Sequence, residues 1–97
     1  MQMTEEKMRI DVNGNIDFSC INHSGNTNVC IMCSTLEEVL VSACEQEHID
    51  QESIFEGDGV MKMHIRGASY PLVMTFKAVH ETFKKVADQN PWYLKIT

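Results

Sequence analysis

The chain has 97 residues, 43% of them hydrophobic and 23% charged, which fits one globular domain and excludes both a second domain and a disordered chain. A net charge of -6 argues against a nucleic-acid binder, which needs clustered Lys and Arg, and suits a basic protein or peptide partner. No apolar run approaches the roughly 18 residues of a membrane span, and residues 1–7 lack the apolar stretch of a secretory signal, so the expected location is cytoplasmic, with no membrane partner.

Residues 1–7 read as a loose tail before a single domain over residues 8–97. Met8, Ile10 and Val12 alternate with Arg9 and Asp11, the period of a half-buried strand. Asn13-Gly14 suits a tight turn, and Ile16, Phe18 and Cys20 continue the alternation in a second strand. The polar run from His23 to Asn28 reads as a loop. A helix follows, with Met32, Leu36, Val39, Leu40 and Ala43 on one face. Thr27 or Asn28 can cap it, or Ser34 with Glu37 can form a later capping box.

Glu56-Gly57-Asp58-Gly59 then reads as a hinge, and Met61, Met63 and Ile65 as the inward residues of a third strand. Pro71 suits the first turn of a second helix capped by Ser69 or Tyr70. Leu72, Phe76, Val79, Phe83 and Val86 form its stripe, and Asn90-Pro91 ends it. Trp92, Leu94 and Ile96 alternate in a closing strand. The order is ββαβαβ, an α+β fold with two helices on one face of a small mixed sheet.

Chemistry centres on Cys30. Without signs of export, the four cysteines read as reduced thiols. Near the start of a helix, the dipole and unpaired N–H groups favour thiolate over the ordinary thiol, whose pKa is about 8.5. His23, seven residues earlier at a strand end, can fold back to serve as general base. Small residues between them, Gly25 among them, leave room for an incoming chain. Cys20, Cys33 and Cys44 lie on apolar faces and read as core. His48, His64 and His80 read as solvated, as do Glu5-Glu6 and Glu37-Glu38. Cys20-x2-His23-x6-Cys30-x2-Cys33 offers zinc-ligand types, but Cys20 and His23 point to opposite faces of a strand unless the chain turns between them. Cys30-Ile31-Met32-Cys33 also has thioredoxin-like spacing at a helix start.

Asn22-His23-Ser24, then Val29-Cys30-Ile31-Met32-Cys33-Ser34-Thr35-Leu36, resembles the signature of the ribosomal-processing cysteine protease family (Prp). That signature is Gly-His-Ala at a strand end, a mobile loop, then Asp-x-Val-Cys entering a helix with Ser four residues on. The closing Phe83-Lys84-Lys85-Val86-Ala87 and Asn90-Pro91-Trp92-Tyr93-Leu94-Lys95-Ile96 also resemble the family's last helix and strand. The resemblance runs from Met8 onward. It implies an intracellular cysteine endopeptidase, dimeric, that trims an N-terminal extension from a large-subunit ribosomal protein, without metal or cofactor. It makes Cys30 the nucleophile, His23 its base, and Ser34 a helper near the substrate or nucleophile; Gly25 in the loop is a further substrate-binding candidate. Asn22 stands for the family's Gly, Ser24 for its Ala and Thr27 for its Asp, and the His23–Cys30 loop is shorter than the family's. The competing expectations are a non-catalytic interaction module of the same fold and a small zinc-binding domain.

Overall fold

Period-two alternation in the first quarter of the chain folds as a hairpin. In the computed structural model, which describes residues 3–97, β1 (Thr4–Ile10) and β2 (Ile16–Ile21) run antiparallel with Met8 opposite Phe18. Asp11 organises the turn: its carboxylate accepts from the backbone N–H groups of Asn13 and Asn15 and from the Asn15 amide. Val12 sits in that turn rather than in the strand and is fully exposed.

α1 (Thr27–Gln46) follows, then a short 3-10 turn at Gln51–Ser53, β3 (Ile54–Gly57), β4 (Val60–Ile65), α2 (Tyr70–Gln89) and β5 (Leu94–Ile96). The sheet order is β3-β4-β2-β1-β5, antiparallel throughout except where β5 runs parallel to β1. The fold is therefore α+β, with two helices packed against a mixed sheet. The element order is ββαββαβ, one strand more than the alternation predicts. That strand is β3, an edge strand with Phe55 exposed, which shows no alternation to read. The supposed hinge is its hairpin turn to β4, with Asp58-Gly59 at the tip. β5 is shorter than expected, because Trp92 lies in the preceding turn, 69% exposed.

The expected loose tail is also corrected. Met1 and Gln2 lie outside the described residues, but Thr4–Ile10 is the strand that β2 and β5 flank on either side. Thr4 and Glu6 face inward, and polar side chains there hide the alternation that marks a strand. Glu6 is completely buried, with both carboxylate oxygens within 2.7 and 3.0 Å of His80 Nδ1 on α2. Burial pushes the Glu6 carboxyl up, opposed by the bond to His80 and by the charges of His80 and Lys84. Neither residue is the solvated group that its sequence context implies.

The stripe of α2 is as read: Leu72, Phe76, Val79, Phe83 and Val86 are all buried. Phe18 of β2 meets Phe76 edge-on, ring centroids 6.4 Å apart, and Phe83 at 5.9 Å. α1 is rotated from the expected face. Val29, Cys33, Leu40 and Cys44 are its buried residues, and Val39 is 44% exposed. Two cysteines acting as small apolar residues turn the stripe. α1 is long and apolar enough, at a mean hydropathy of 1.2, to cross a membrane by length and composition. Here those four residues join the single core cluster with the sheet and α2.

Replacing His80 with Ala strips the buried Glu6 carboxylate of its partner and costs about 3 kcal/mol. Urea unfolding checks this. A loss below about 0.5 kcal/mol, the scale of an ordinary surface change, would show that the pair is not needed.

Candidate active site

β2 ends at Ile21, and the next residue turns the chain. Asn22 has φ 71°, the left-handed region that Gly and, among other residues, Asn enter most readily. Two contacts hold it there. Its N–H donates to the Gly59 carbonyl at 2.7 Å, and its own carbonyl accepts from the Thr4 hydroxyl at 2.9 Å. The reversal supplies the turn that lets His23 leave the face dictated by strand alternation.

The helix start is settled by Asn26, one residue before the expected caps. Asn26 has extended backbone, and its Oδ1 accepts from the Val29 N–H at 3.1 Å. The Cys30 N–H makes the first α-helical bond, to the Asn26 carbonyl at 2.9 Å. Cys30 thus sits in the first turn, and the Ser34–Glu37 capping alternative is ruled out, since both residues lie inside α1. The N–H groups of Thr27 and Asn28, next to the cap, belong to the orphan donors of a helix start.

Ser24 is 3% exposed and its hydroxyl is a junction. Its oxygen accepts from the Asn26 N–H at 3.1 Å and lies 3.2 Å from the Asn26 carbonyl and 3.4 Å from Cys30 Sγ. With Cys30 as a thiol, the Ser24 proton can go to Asn26; with a thiolate, it can turn to the sulfur. Ser24 is accordingly the largest influence holding the Cys30 thiol below its ordinary range, ahead of the His23 imidazole, while burial works the other way. His23 Nε2 lies 3.2 Å from Asp58 Oδ1 at the tip of the β3–β4 hairpin. Asp58 first, then Cys30, raises the His23 imidazole above its usual range. Both partners are largely exposed, so water screens this pair and it orients the ring more than it stabilises the fold. Gly59 packs against the same ring: at φ 68°, an added Cβ would stand 3.1 Å from His23 Cδ2 and 3.2 Å from Nε2.

The structure thus brings His23 and Cys30 together, with Ser24 and Asp58 as partners that sequence reasoning missed. The Asp-Gly pair after Ile54-Phe55 was the available signal for a hairpin tip. Ser24 carried none, since its contact depends on the turn at Asn22. Ser34, exposed one helical turn beyond Cys30, and Glu38 one turn further form a row with two hollows beside it. One, of about 260 Å³, is walled by Cys20, Cys33, Glu37 and Glu56 among others. The other, of about 530 Å³, is bordered by Gly25, Thr27, Ile31 and Thr35. Gly25 has φ 77° and open space where a Cβ would go. Glu37 is not a solvated charge: burial pushes its carboxyl up, and the Cys20 thiol is its hydrogen-bonding neighbour.

No family model and no curated protein matches this sequence. The fold is similar to the crystal structure of SMU.848 from Streptococcus mutans, with a TM-score of 0.72 and 20% identity over 99% of this chain and 93% of that one. At that identity the likeness shows the fold alone. The four side chains of the zinc alternative border one hollow but do not converge on a point. Cys20 and Cys33 are buried facing one another, whereas Cys30 turns to Ser24 and His23 to Asp58. Among the described residues, no three His, Cys, Asp or Glu side chains are grouped to hold a metal ion.

Replacing Ser24 with Ala removes the hydroxyl from Cys30, so the thiolate forms only at higher pH. The alkaline shift appears in the pH profile of iodoacetamide alkylation at Cys30. Asp58→Asn lowers the His23 pKa and moves the same profile the same way by less. A profile unmoved in both variants would show that neither contact tunes the thiol.

Proposed function

We propose that this protein is an intracellular cysteine endopeptidase of the ribosomal-processing type, with Cys30 as nucleophile and His23 as general base. The observation that carries the reading is the placement of Cys30 in the first turn of α1, its sulfur 3.4 Å from the Ser24 hydroxyl, on a hollow that His23, held by Asp58, also borders. Ser24 chiefly lowers the Cys30 thiol and Asp58 chiefly raises the His23 imidazole, each with a smaller contribution from the other of the pair, which favours a thiolate–imidazolium pair. The resemblance to the Prp signature supports it, and so does Asn22: the family's Gly position is occupied here by a residue in the backbone conformation that Gly favours.

The thiolate attacks the scissile carbonyl carbon, forming a C–S bond and pushing the electron pair onto oxygen. Helix-start N–H groups, those of Thr27 and Asn28 foremost, are the donors available to that oxyanion. The His23 imidazolium protonates the amine as the C–N bond breaks, leaving a thioester. Neutral His23 then takes a proton from water, which attacks the thioester carbon and releases Cys30. Asp58 keeps the ring oriented through both transfers. The row from Cys30 to Ser34 and Glu38 lets a peptide cross with side chains in the hollow on each side, Gly25 leaving the wider one open.

The substrate class is a basic peptide, the N-terminal extension of a large-subunit ribosomal protein precursor. Glu37, Glu38 and Glu56 border the narrower hollow, and none of them has a Lys or Arg ion-pair partner among the described residues. A homodimer in the cytoplasm completes the reading, and the exposed Phe55 and Trp92 are candidates for its contact surface.

Incubation with ribosomal-protein precursors that carry N-terminal extensions tests the proposal. Wild type is expected to cut, Cys30→Ala to be inactive, and His23→Ala to lose about a hundred- to ten-thousand-fold. A wild type that binds the precursor without cutting it would instead favour a non-catalytic interaction module.

A further inference from the structure

Peptide hydrolysis uses one thiol, yet three line the same hollow. Cys20, Cys30 and Cys33 all border the cavity of about 260 Å³, and none is in a disulfide. Their situations differ. Cys30 is partly exposed and held by Ser24, whereas Cys20 and Cys33 are 4% and 5% exposed. Cys30 and Cys33 are three residues apart on one helix, hence neighbours on its surface.

We propose that Cys30 and Cys33 form a reversible disulfide in response to peroxide, closing the site and sparing Cys30 from irreversible oxidation. The inference goes beyond the peptidase reading and requires only that Cys30 reacts as a thiolate.

The chemistry runs in two steps. The Cys30 thiolate attacks one oxygen of hydrogen peroxide; an S–O bond forms, the O–O bond breaks and hydroxide leaves, taking a proton to become water. Sulfur is oxidised by two electrons to the sulfenic acid and the peroxide is reduced. His23, which borders the same hollow, is placed to supply that proton when its ring is protonated. The Cys33 sulfur then attacks the Cys30 sulfur. The S–S bond forms, the S–O bond breaks, and the Cys33 proton leaves with the hydroxide as a second water. A dithiol reverses this by exchange and is itself oxidised to a disulfide.

Geometry selects Cys33. Residues three apart on a helix have Cβ atoms about 5–6 Å apart, and a disulfide needs about 3.5–4.5 Å, so the helix must give locally. It can do so at Cys30, where helical bonding begins: only Thr27, Asn28 and Val29 precede it in α1. Helix ends open at the lowest cost. Cys20 is buried on β2 with Cys33 and Glu37, not Cys30, as its neighbours, and hydrogen bonding to Cys33 and burial push its thiol above the ordinary range. Cys44 is fully buried and does not border this cavity, and burial pushes its thiol up to about 11.

The test treats the full chain with a several-fold molar excess of hydrogen peroxide and follows intact mass, disulfide mapping and iodoacetamide labelling of Cys30. Wild type is expected to lose two hydrogens, with the bond mapped to Cys30 and Cys33, and to regain labelling after dithiothreitol. Cys33→Ala is expected to gain two oxygens at Cys30 and not to recover. Wild type gaining two oxygens at Cys30 as fast as that variant would overturn the proposal; so would a disulfide lacking either residue, or a chain that peroxide leaves unchanged. Mapping of the wild-type protein decides alone should Cys33→Ala not fold. A chain that forms this bond but cuts no precursor keeps the inference and removes the peptidase.

Discussion

The left-handed turn at Asn22 is the constraint on which the site depends. β2 belongs to the sheet and would carry the chain onward in strand geometry. One residue at φ 71° redirects it toward α1. That conformation is uncommon outside glycine and needs support from its surroundings. Thr4 of β1 supplies it from one side and Gly59 of the β3–β4 hairpin from the other. The buried end of β1 thus has two tasks: Thr4 pins the turn, while Glu6, two residues along the same face, ties the sheet to α2 through His80. The hairpin tip has two as well: Gly59 holds Asn22 and packs on the His23 ring, and Asp58 bonds that ring. A site assembled from four segments is therefore pinned by hydrogen bonds where the backbone turns, while His23 is exposed and Cys30 partly so.

The electrostatics follow from that assembly. Ser24 is buried between the turn and the helix cap, with its hydroxyl within reach of a carbonyl and a sulfur. Cys30 gains its acidity from this neighbour and from His23 rather than from deep burial, which would push a thiol the other way, as it does for Cys20 and Cys44. Four cysteines in one small domain thus fall into distinct chemical classes. One is a partly exposed thiol at a helix start; the others are buried on the sheet or on the inner face of α1.

Where side chains alternate or repeat cleanly, the architecture is legible from the sequence. The stripe of α2, the inward Met61, Met63 and Ile65, and the pairing of β1 with β2 all announce themselves by period, and from these the α+β class follows. Legibility fails where a polar side chain faces inward or an apolar one outward. Thr4 and Glu6 disguise a central strand as a tail, Phe55 on an edge strand shows no alternation, and Val12 extends a pattern beyond the strand that carries it. In the site, Cys30 and His23 could be singled out because their residue types are few and their placement near strand and helix ends is readable. Ser24 and Asp58 could not, since their roles come from a reversed backbone and from a hairpin tip that lies 35 residues along the chain from His23.

On the peptidase reading, His23 and Cys30 form one titrating unit. Two groups that stabilise each other's charged forms must each respond when the other is removed. The most direct measurement is the NMR titration of the His23 imidazole with Cys30 intact and with Cys30→Ser, a variant that keeps the shape but removes the thiolate. The His23 pKa is expected to fall in the serine variant. A His23 titration identical in the two proteins would contradict it.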